Sequence, residues 1–244
     1  MQAALTWQKE LTDAEGTVVN DVYNLPVNKI ISASSLPHEL VIAFNYAFPT
    51  LGTANPMVKS ALRNWSLSGS MRYQSGLPIQ SPYATNSLSA LLPRLVGANM
   101  TYATPTGQPF FTQDPNCHCF DPNTTFVLNP AAWSQPAAGQ WGAGAPYYNN
   151  YRWQRQPSES LSLSRTFHFK ERASLNIRAE FFNILNRNFF TSPTNTNSAA
   201  TQSRTAAGQT TAGFGYINTT VTNIQTGGAI PTTRNGQIVA RFTF

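Results

Sequence analysis

Long runs in which apolar and polar residues strictly alternate limit most strongly how this chain of 244 residues can fold. In residues 158–169, Leu161, Leu163 and Phe167 lie on one side, and serine, threonine and histidine lie on the other. Arg165 interrupts the apolar side. A period of two predicts a β-strand. A run of about twelve residues is roughly twice the usual strand length in soluble proteins.

Five further runs share this pattern, so we predict about six strands. The predicted strands are residues 3–10, 38–48, 65–75, 158–169, 172–184 and 237–244. Lys170 and Glu171 alone separate the fourth strand from the fifth, which predicts a tight hairpin. These strands are 8–13 residues long, and a strand that crosses a bilayer needs about 9–11 residues.

The connections between these strands alternate between long and short. Residues 13–37, 76–157 and 186–234 are long connections, and residues 49–64 and 170–171 are shorter ones. Long structureless loops are uncommon in compact soluble domains. Short periplasmic turns and longer extracellular loops are typical of transmembrane β-barrels. We therefore predict an all-β fold, an antiparallel transmembrane β-barrel segment with long extracellular loops, whose last strand ends on the periplasmic side.

The composition agrees with a barrel wall. Charged residues make up 11% of the chain and aromatic residues 12%, whereas soluble domains carry about 25% charged residues. Aromatic residues cluster near the predicted strand ends, where barrels carry interfacial girdles. The net charge of +6 is spread thinly and includes no run of five basic residues, so we expect no nucleic-acid partner.

Four charged residues lie on the polar side of the predicted strands. They are Arg72, Arg178, Glu180 and Arg241. In a barrel this side faces the lumen. These residues either contact a plug or a solute, or form structural ion pairs with neighbouring strands, and we favour the ion pairs.

Six strands are too few to close a barrel, because known single-chain barrels start at eight. We expect residues 1–244 to be the C-terminal portion of a longer barrel. The first residues, MQAALTWQKELTDAEG, lack the basic and apolar regions of a signal peptide.

The stretch SLSLSRTFHFKERASLNIRAEFFNILNRNFF resembles the penultimate hairpin of Oar-like TonB-dependent outer-membrane receptors. The matching residues are Glu171–Arg172, Arg178–Ala179–Glu180, Phe182–Asn183, Asn186 and Asn188–Phe189. Supporting matches are Leu36–Pro37–His38, Asn64–Trp65, Gln74–Ser75–Gly76–Leu77–Pro78, Leu128–Asn129–Pro130–Ala131–Ala132–Trp133, Phe214–Gly215 and residues 234–244. The resemblance covers most of the chain.

The resemblance implies an outer-membrane receptor that takes up a large solute with energy from TonB. Its expected partners are the outer-membrane lipid, the rest of the barrel, the plug domain and, through that missing part, the TonB complex. The plug domain and the TonB-contacting segment are absent from residues 1–244. Phe242 and Phe244 resemble the C-terminal signal that the barrel-assembly machinery recognises.

Other kinds of site find little support. Cys117, His118 and Cys119 are too close together for a usual zinc site, so a disulfide or plain loop cysteines are expected. The sequence contains no G-x-S-x-G motif, no P-loop and no H-E-x-x-H motif, so we predict no enzyme, no cofactor and no metal. The alternatives are a secreted β-sandwich adhesin or carbohydrate-binding module, which would bury its apolar sheet face, and a structural anchor without transport.

Overall fold

A computed structural model describes residues 1–13, 25–49, 56–86, 88, 101–117, 119–169, 173–219 and 234–244. Its strands are β1 (Gln2–Trp7), β2 (Leu11–Thr12), β3 (Ile30–Ile31), β4 (His38–Ala47), β5 (Trp65–Gln74), β6 (Pro78–Gln80), β7 (Thr104–Pro105), β8 (Trp133–Ser134), β9 (Tyr147–Arg152), β10 (Ser158–Phe169), β11 (Ala173–Phe182), β12 (Ser203–Arg204), β13 (Thr210–Ala212) and β14 (Asn235–Thr243). The helices are α1 (Pro56–Leu62) and two short 3-10 helices, Leu25–Asn28 and Pro130–Ala132.

The longest strands form one antiparallel sheet. Its order is β1-β4-β5-β10-β11-β14, so β1 and β14 are its two edges. These are the six strands that the alternation predicts, with bounds that differ by at most three residues. The predicted all-β, antiparallel fold is confirmed.

The register places residues of the same character side by side across the sheet. Leu163 pairs with Leu67 on β5 and with Ala179 on β11, and Ala179 pairs with Ile238 on β14. Each of these residues comes from the apolar half of its alternating run. The sheet therefore has one continuous apolar face and one continuous polar face.

The two ends of the sheet carry different connections. The first, third and fifth connections, which are the long ones, join the strands at one end, here called the loop end. The turn end carries the connection that contains α1 and the hairpin between β10 and β11. Residues 170–172 of that hairpin, including Glu171 and Arg172, lie outside the described residues.

The buried core lies in the connections at the loop end and not in the sheet. We call the described parts of residues 76–157 and 183–219 the loop lobe. Ten buried apolar residues form its core: Ile79, Ala103, Val127, Leu128, Ala132, Trp133, Tyr151, Trp153, Phe214 and Ile217. The two long connections therefore fold into an ordered lobe, because they supply apolar residues that pack against each other.

The apolar face of the sheet is open. Leu5, Trp7, Ile238 and Phe242 are between 57% and 83% exposed. Among the described residues, no second sheet packs on this face. The β-sandwich alternative requires this face to be covered, so the fold does not support it.

No helix among the described residues is long and apolar enough to span a membrane.

Candidate functional site

The polar face of the sheet carries the four charged residues that the alternation singles out. Arg72 donates from Nε to Glu39 Oε1 on the neighbouring strand at 2.6 Å. Arg178 and Glu180 pair on the same strand at 2.8 Å, and Gln237 also donates to Glu180. The ion pair of Arg72 joins two neighbouring strands, whereas the pair of Arg178 and Glu180 lies within one strand. The role of all four residues in a lumen stays a prediction.

Arg241 lies on the same face in the edge strand β14. Its register partner on β11 is Asn176, which donates to Thr166 Oγ1 at 3.0 Å. Arg241 is exposed. The register thus brings it beside the polar row of β10 and β11, without an ion pair among the described residues.

A ladder of serines crosses the centre of the polar face. Ser66 and Ser164 hydrogen-bond through their hydroxyl groups at 2.7 Å, and Ser68 and Ser162 do so at the same distance. Small hydroxyl side chains bond across an antiparallel pair when they stand directly opposite each other. The ladder gives this face a narrow polar stripe with no bulky side chain.

Aromatic side chains gather at both ends of the apolar face. At the turn end these are Tyr46, Phe48, Trp65, Phe167, Phe169, Phe242 and Phe244, and at the loop end they are Trp7, Tyr73 and Phe181. Phe242 and Phe244 stack with their ring centroids 6.1 Å apart. Two aromatic bands with aliphatic residues between them are the arrangement of a barrel wall between two membrane interfaces.

Arg165 is the cation that interrupts the apolar face, and it lies within the turn-end aromatic band. Its guanidinium lies 4.5 Å from the centroid of Phe167 and 5.4 Å from that of Trp65. Its Nη2 atom donates to the carbonyl oxygen of Ser60 at 2.5 Å. In this aromatic band, the guanidinium can extend toward the membrane interface while the methylene groups stay among apolar neighbours.

Aromatic packing holds the loop lobe together. Phe110 stacks on Trp133 with ring centroids 4.9 Å apart, and it lies 5.0 Å from Tyr151 and 5.5 Å from Tyr148. Burial raises the pKa of both tyrosines because the charged phenolate loses its hydration. Each such ring pair adds about 0.5–1.5 kcal/mol beyond the burial of its area.

Two Asp-Pro-Asn segments shape the lobe on either side of the cysteines. The Asp114 carboxylate accepts from the backbone N–H of Asn116 at 2.9 Å, and Asp121 accepts from that of Asn123 at the same distance. These are Asx turns. Each asparagine then accepts from a distant segment, Asn116 from the N–H of Arg155 and Asn123 from the hydroxyl of Thr219.

Cys117 and Cys119 form a disulfide between these two turns. His118 lies outside the described residues. Within the described ranges, no three histidine, cysteine, aspartate or glutamate side chains are arranged to hold a metal ion. The disulfide leaves neither cysteine as a free thiol.

Arg152 ties the lobe to the connection between β1 and β4. Its Nη1 atom donates to the carbonyl oxygens of Ser35 at 2.6 Å and Gly76 at 3.2 Å. Desolvation by burial lowers the pKa of Arg152. The guanidinium thus joins three segments at the loop end of the sheet.

The alternation missed a buried ion pair at the junction of sheet and lobe. Glu159 lies in the apolar row of β10, only 2% exposed, and accepts from Arg187 Nε at 2.9 and 3.1 Å. Arg187 is held in turn by Asn183, whose side chain bonds both backbone polar groups of Arg187 at 2.8 and 2.9 Å. A carboxylate at an apolar register position was the signal that could have revealed the pair.

The comparisons with known proteins agree with this geometry. A family model described as an outer membrane beta barrel domain matches residues 1–237. No curated protein and no solved structure matches the chain. The match spans nearly the whole sheet together with its loops. This chain therefore belongs to the outer-membrane β-barrel family, and its place is the bacterial outer membrane.

Proposed function

We propose that this chain is the C-terminal part of the barrel of a TonB-dependent receptor of the Oar-like type. The receptor would take up a large solute across the outer membrane. The loop lobe would capture the solute, and a plug domain driven by TonB would then let it pass. The plug and the TonB step rest on the family resemblance alone.

The observation that carries the proposal is where the family-like motifs lie in the fold. Leu128 and Trp133 of the Leu-Asn-Pro-Ala-Ala-Trp motif are core residues of the lobe, and Asn129 caps the short helix between them by accepting from the N–H of Ala131 at 3.1 Å. Phe214 of the Phe-Gly motif is fully buried in the same core. The motifs thus supply the folded lobe and are not scattered over the surface.

Two glycines in these motifs have a clear steric reason. Gly215 has a φ of 82°, which favours glycine, and a Cβ there would lie 2.7 Å from the backbone nitrogen of Leu128. A Cβ on Gly76 would lie 1.8 Å from the carbonyl oxygen of Trp153. Both glycines permit close approach between segments that enclose the lobe core. This supports a lobe of defined shape, which a receptor needs for recognition.

The open sheet supports the proposal that further strands complete the barrel. β1 and β14 are both edge strands, and a sheet that spans lipid must close to pair its backbone groups. The hydroxyl-rich polar face would line the interior of that larger barrel. A lumen wide enough for a plug requires many more strands than six.

Uptake experiments test the transport proposal. In the native bacterium, import of labelled maltooligosaccharides, peptides and ferric chelates is measured in the parent strain, in a strain lacking this gene and in a strain lacking TonB. We expect at least one solute whose import is lost in both mutants. Unchanged import of the whole panel in the gene deletion, or import that survives without TonB, contradicts the proposal.

A further inference from the structure

We propose that the junction between the sheet and the loop lobe binds a phosphorylated glycolipid of the outer leaflet, of the lipid A type. The site is a groove of about 480 Å³. A smaller hollow of about 180 Å³ continues it, and Arg155, Pro157 and Arg187 line both. The inference rests on membership of the barrel family and does not depend on transport.

The floor of the groove is part of the apolar sheet face. Leu5, Leu40 and Tyr73 pair in one row across β1, β4 and β5, and all three line the groove. Leu5 is 73% exposed. Because the apolar face of a barrel contacts lipid, an occupant of this groove can keep its acyl chains in the bilayer.

The groove lies at the correct height for a headgroup of the outer leaflet. Tyr73 and Glu159 lie at the loop end of β5 and β10, and the lobe begins directly beyond them. Outer-membrane barrels direct their long loops outward. The polar rim of the groove therefore lies at the outer interface, where phosphate and sugar groups are found.

The charge of the groove favours an anion. The side chain of Arg155 is exposed and makes no hydrogen bond or ion pair with any described residue. Arg187 gives only its Nε atom to Glu159, which leaves its two terminal amino groups without a hydrogen bond to a described residue. His38 also lines the groove. Phosphate oxygens complement such guanidinium groups.

Hydrogen bonds already hold the backbone around Arg155 before any lipid binds. The side chain of Gln154 donates to the carbonyl oxygen of Pro115 at 2.8 Å, and the N–H of Arg155 donates to Asn116 at 2.9 Å. The N–H of Gln156 donates to the carbonyl oxygen of Gln74 at 3.1 Å. A bound lipid therefore has to order one side chain and no loop, which lowers the entropic cost of binding.

Lipid A matches both parts of the groove, because its phosphates and acyl chains belong to one molecule of the outer leaflet. The guanidinium groups of Arg155 and Arg187 complement the phosphates. The row of Leu5, Leu40 and Tyr73 complements the acyl chains.

Binding is measured on the full protein extracted from its outer membrane, by native mass spectrometry with added lipid. The probes are bisphosphorylated lipid A, monophosphoryl lipid A, phosphatidylethanolamine and inorganic phosphate. We expect the bisphosphorylated form to bind most tightly. We expect phosphatidylethanolamine and inorganic phosphate, at equal concentration, to compete poorly.

The variant Arg155→Glu removes the unpaired cation and adds a repulsive charge. Because a cation near an anionic headgroup favours binding and a carboxylate opposes it, the reversal should weaken lipid A binding at least about tenfold. Arg63 is also exposed and lies at the turn end, so Arg63→Glu is the matched control and should bind lipid A as the parent does. Heat-modifiable mobility in gels checks that both variants are folded.

Three results overturn the proposal. One is unchanged lipid A binding by folded Arg155→Glu. Another is equal weakening by Arg63→Glu, which means a general charge effect. The third is displacement of lipid A by inorganic phosphate at equal concentration, which means a simple anion site. A failure of solute uptake in the TonB experiment leaves all three results unaffected, so the two proposals fail separately.

Discussion

The sheet and the loop lobe of this chain satisfy the hydrophobic effect in opposite ways. In the sheet, large apolar residues such as Ile238 and Leu5 remain 80% and 73% exposed. In the lobe, Tyr102, Val127, Leu128 and Phe214 have no exposed surface at all. The sheet thus takes its stability from surrounding lipid and from neighbouring strands, whereas the lobe carries its own core.

This difference indicates that the sheet depends on the membrane and that the loop lobe does not. A wall without a core needs lipid on its apolar face and paired edges. A lobe with a core of ten buried residues needs only its own packing and its attachment to the strands. Damage to one region should therefore leave the other largely intact.

The largest expected effect comes from opening the lobe core. Phe214→Ala removes a fully buried ring and should cost about 3–5 kcal/mol of lobe stability. Limited proteolysis of outer-membrane vesicles should then cut within residues 101–157 and 183–219 much faster than in the parent. Leu185→Ala, at a residue 58% exposed, is the control and should change the cutting little. Equal cutting in both variants would contradict a separately packed lobe.

A charge placed on the wall should have the next largest effect. Leu163 lies in the middle of the apolar face, and Leu163→Arg should cost about 2–4 kcal/mol because the charge enters lipid. The neighbouring change Ser162→Arg places the same charge on the polar face and should cost much less. Resistance to urea, followed by gel mobility, compares the two. A greater loss for Ser162→Arg would mean that the two faces are assigned the wrong way round.

Weakening the junction between the sheet and the loop lobe should reduce stability moderately. Asn183 has a φ of 49° and bonds both backbone groups of Arg187. Asn183→Ala loses both bonds in a strained backbone conformation and should cost about 1–3 kcal/mol. Asn183→Asp keeps the acceptor and should cost less. Proteolysis near residue 187 measures the loosening, and identical behaviour of the two variants would exclude a role for these bonds.

The smallest expected effect concerns two buried tyrosines. The Tyr151 hydroxyl is buried and has no hydrogen-bond partner among the described residues, whereas Gln80 Nε2 donates to the Tyr102 hydroxyl at 3.3 Å. At neutral pH, Tyr151→Phe should therefore be neutral or stabilise the lobe by up to about 1 kcal/mol, and Tyr102→Phe should destabilise it by a similar amount. Protease resistance of the lobe measures both changes.

Tyr151 should also make the stability of the lobe depend on pH. Burial raises the pKa of Tyr151 above its ordinary value of 10.0, because the phenolate is poorly hydrated. The stability that depends on the neutral phenol is fully present below pH 10 and is lost as the pH rises through the folded-state pKa. Tyr151→Phe should thus extend the resistance of the lobe to alkali. An unchanged alkaline transition would show that this phenol does not limit the lobe.

The wall could be predicted from the sequence because its pattern is local. Alternation within each run sets the face of every residue, and the tight spacing of β10 and β11 sets their pairing. The same reasoning places Arg72, Arg178, Glu180 and Arg241 on one face. Glu159 was equally visible as a carboxylate in an apolar row, but its partner Arg187 lies beyond the end of the next strand.

The lobe could not be predicted because its contacts join distant segments. The N–H of Val127 donates to the carbonyl oxygen of Gly215 at 3.1 Å, and the indole N–H of Trp153 donates to that of Phe190 at 2.9 Å. Neither contact leaves a periodic trace in the sequence. The proposed lipid groove could not be predicted for the same reason, because Arg155 and Arg187 come from different connections.

The most direct test of a lipid-facing wall is spin labelling along β11 in the native outer membrane. Single cysteines are introduced at consecutive positions from Ser174 to Phe181, in a background with serine at positions 117 and 119. Leu175, Ile177, Ala179 and Phe181 should be accessible to oxygen dissolved in lipid, and the intervening positions should be accessible to a water-soluble relaxation agent. A profile without this period of two, or with the two sets exchanged, would contradict the account.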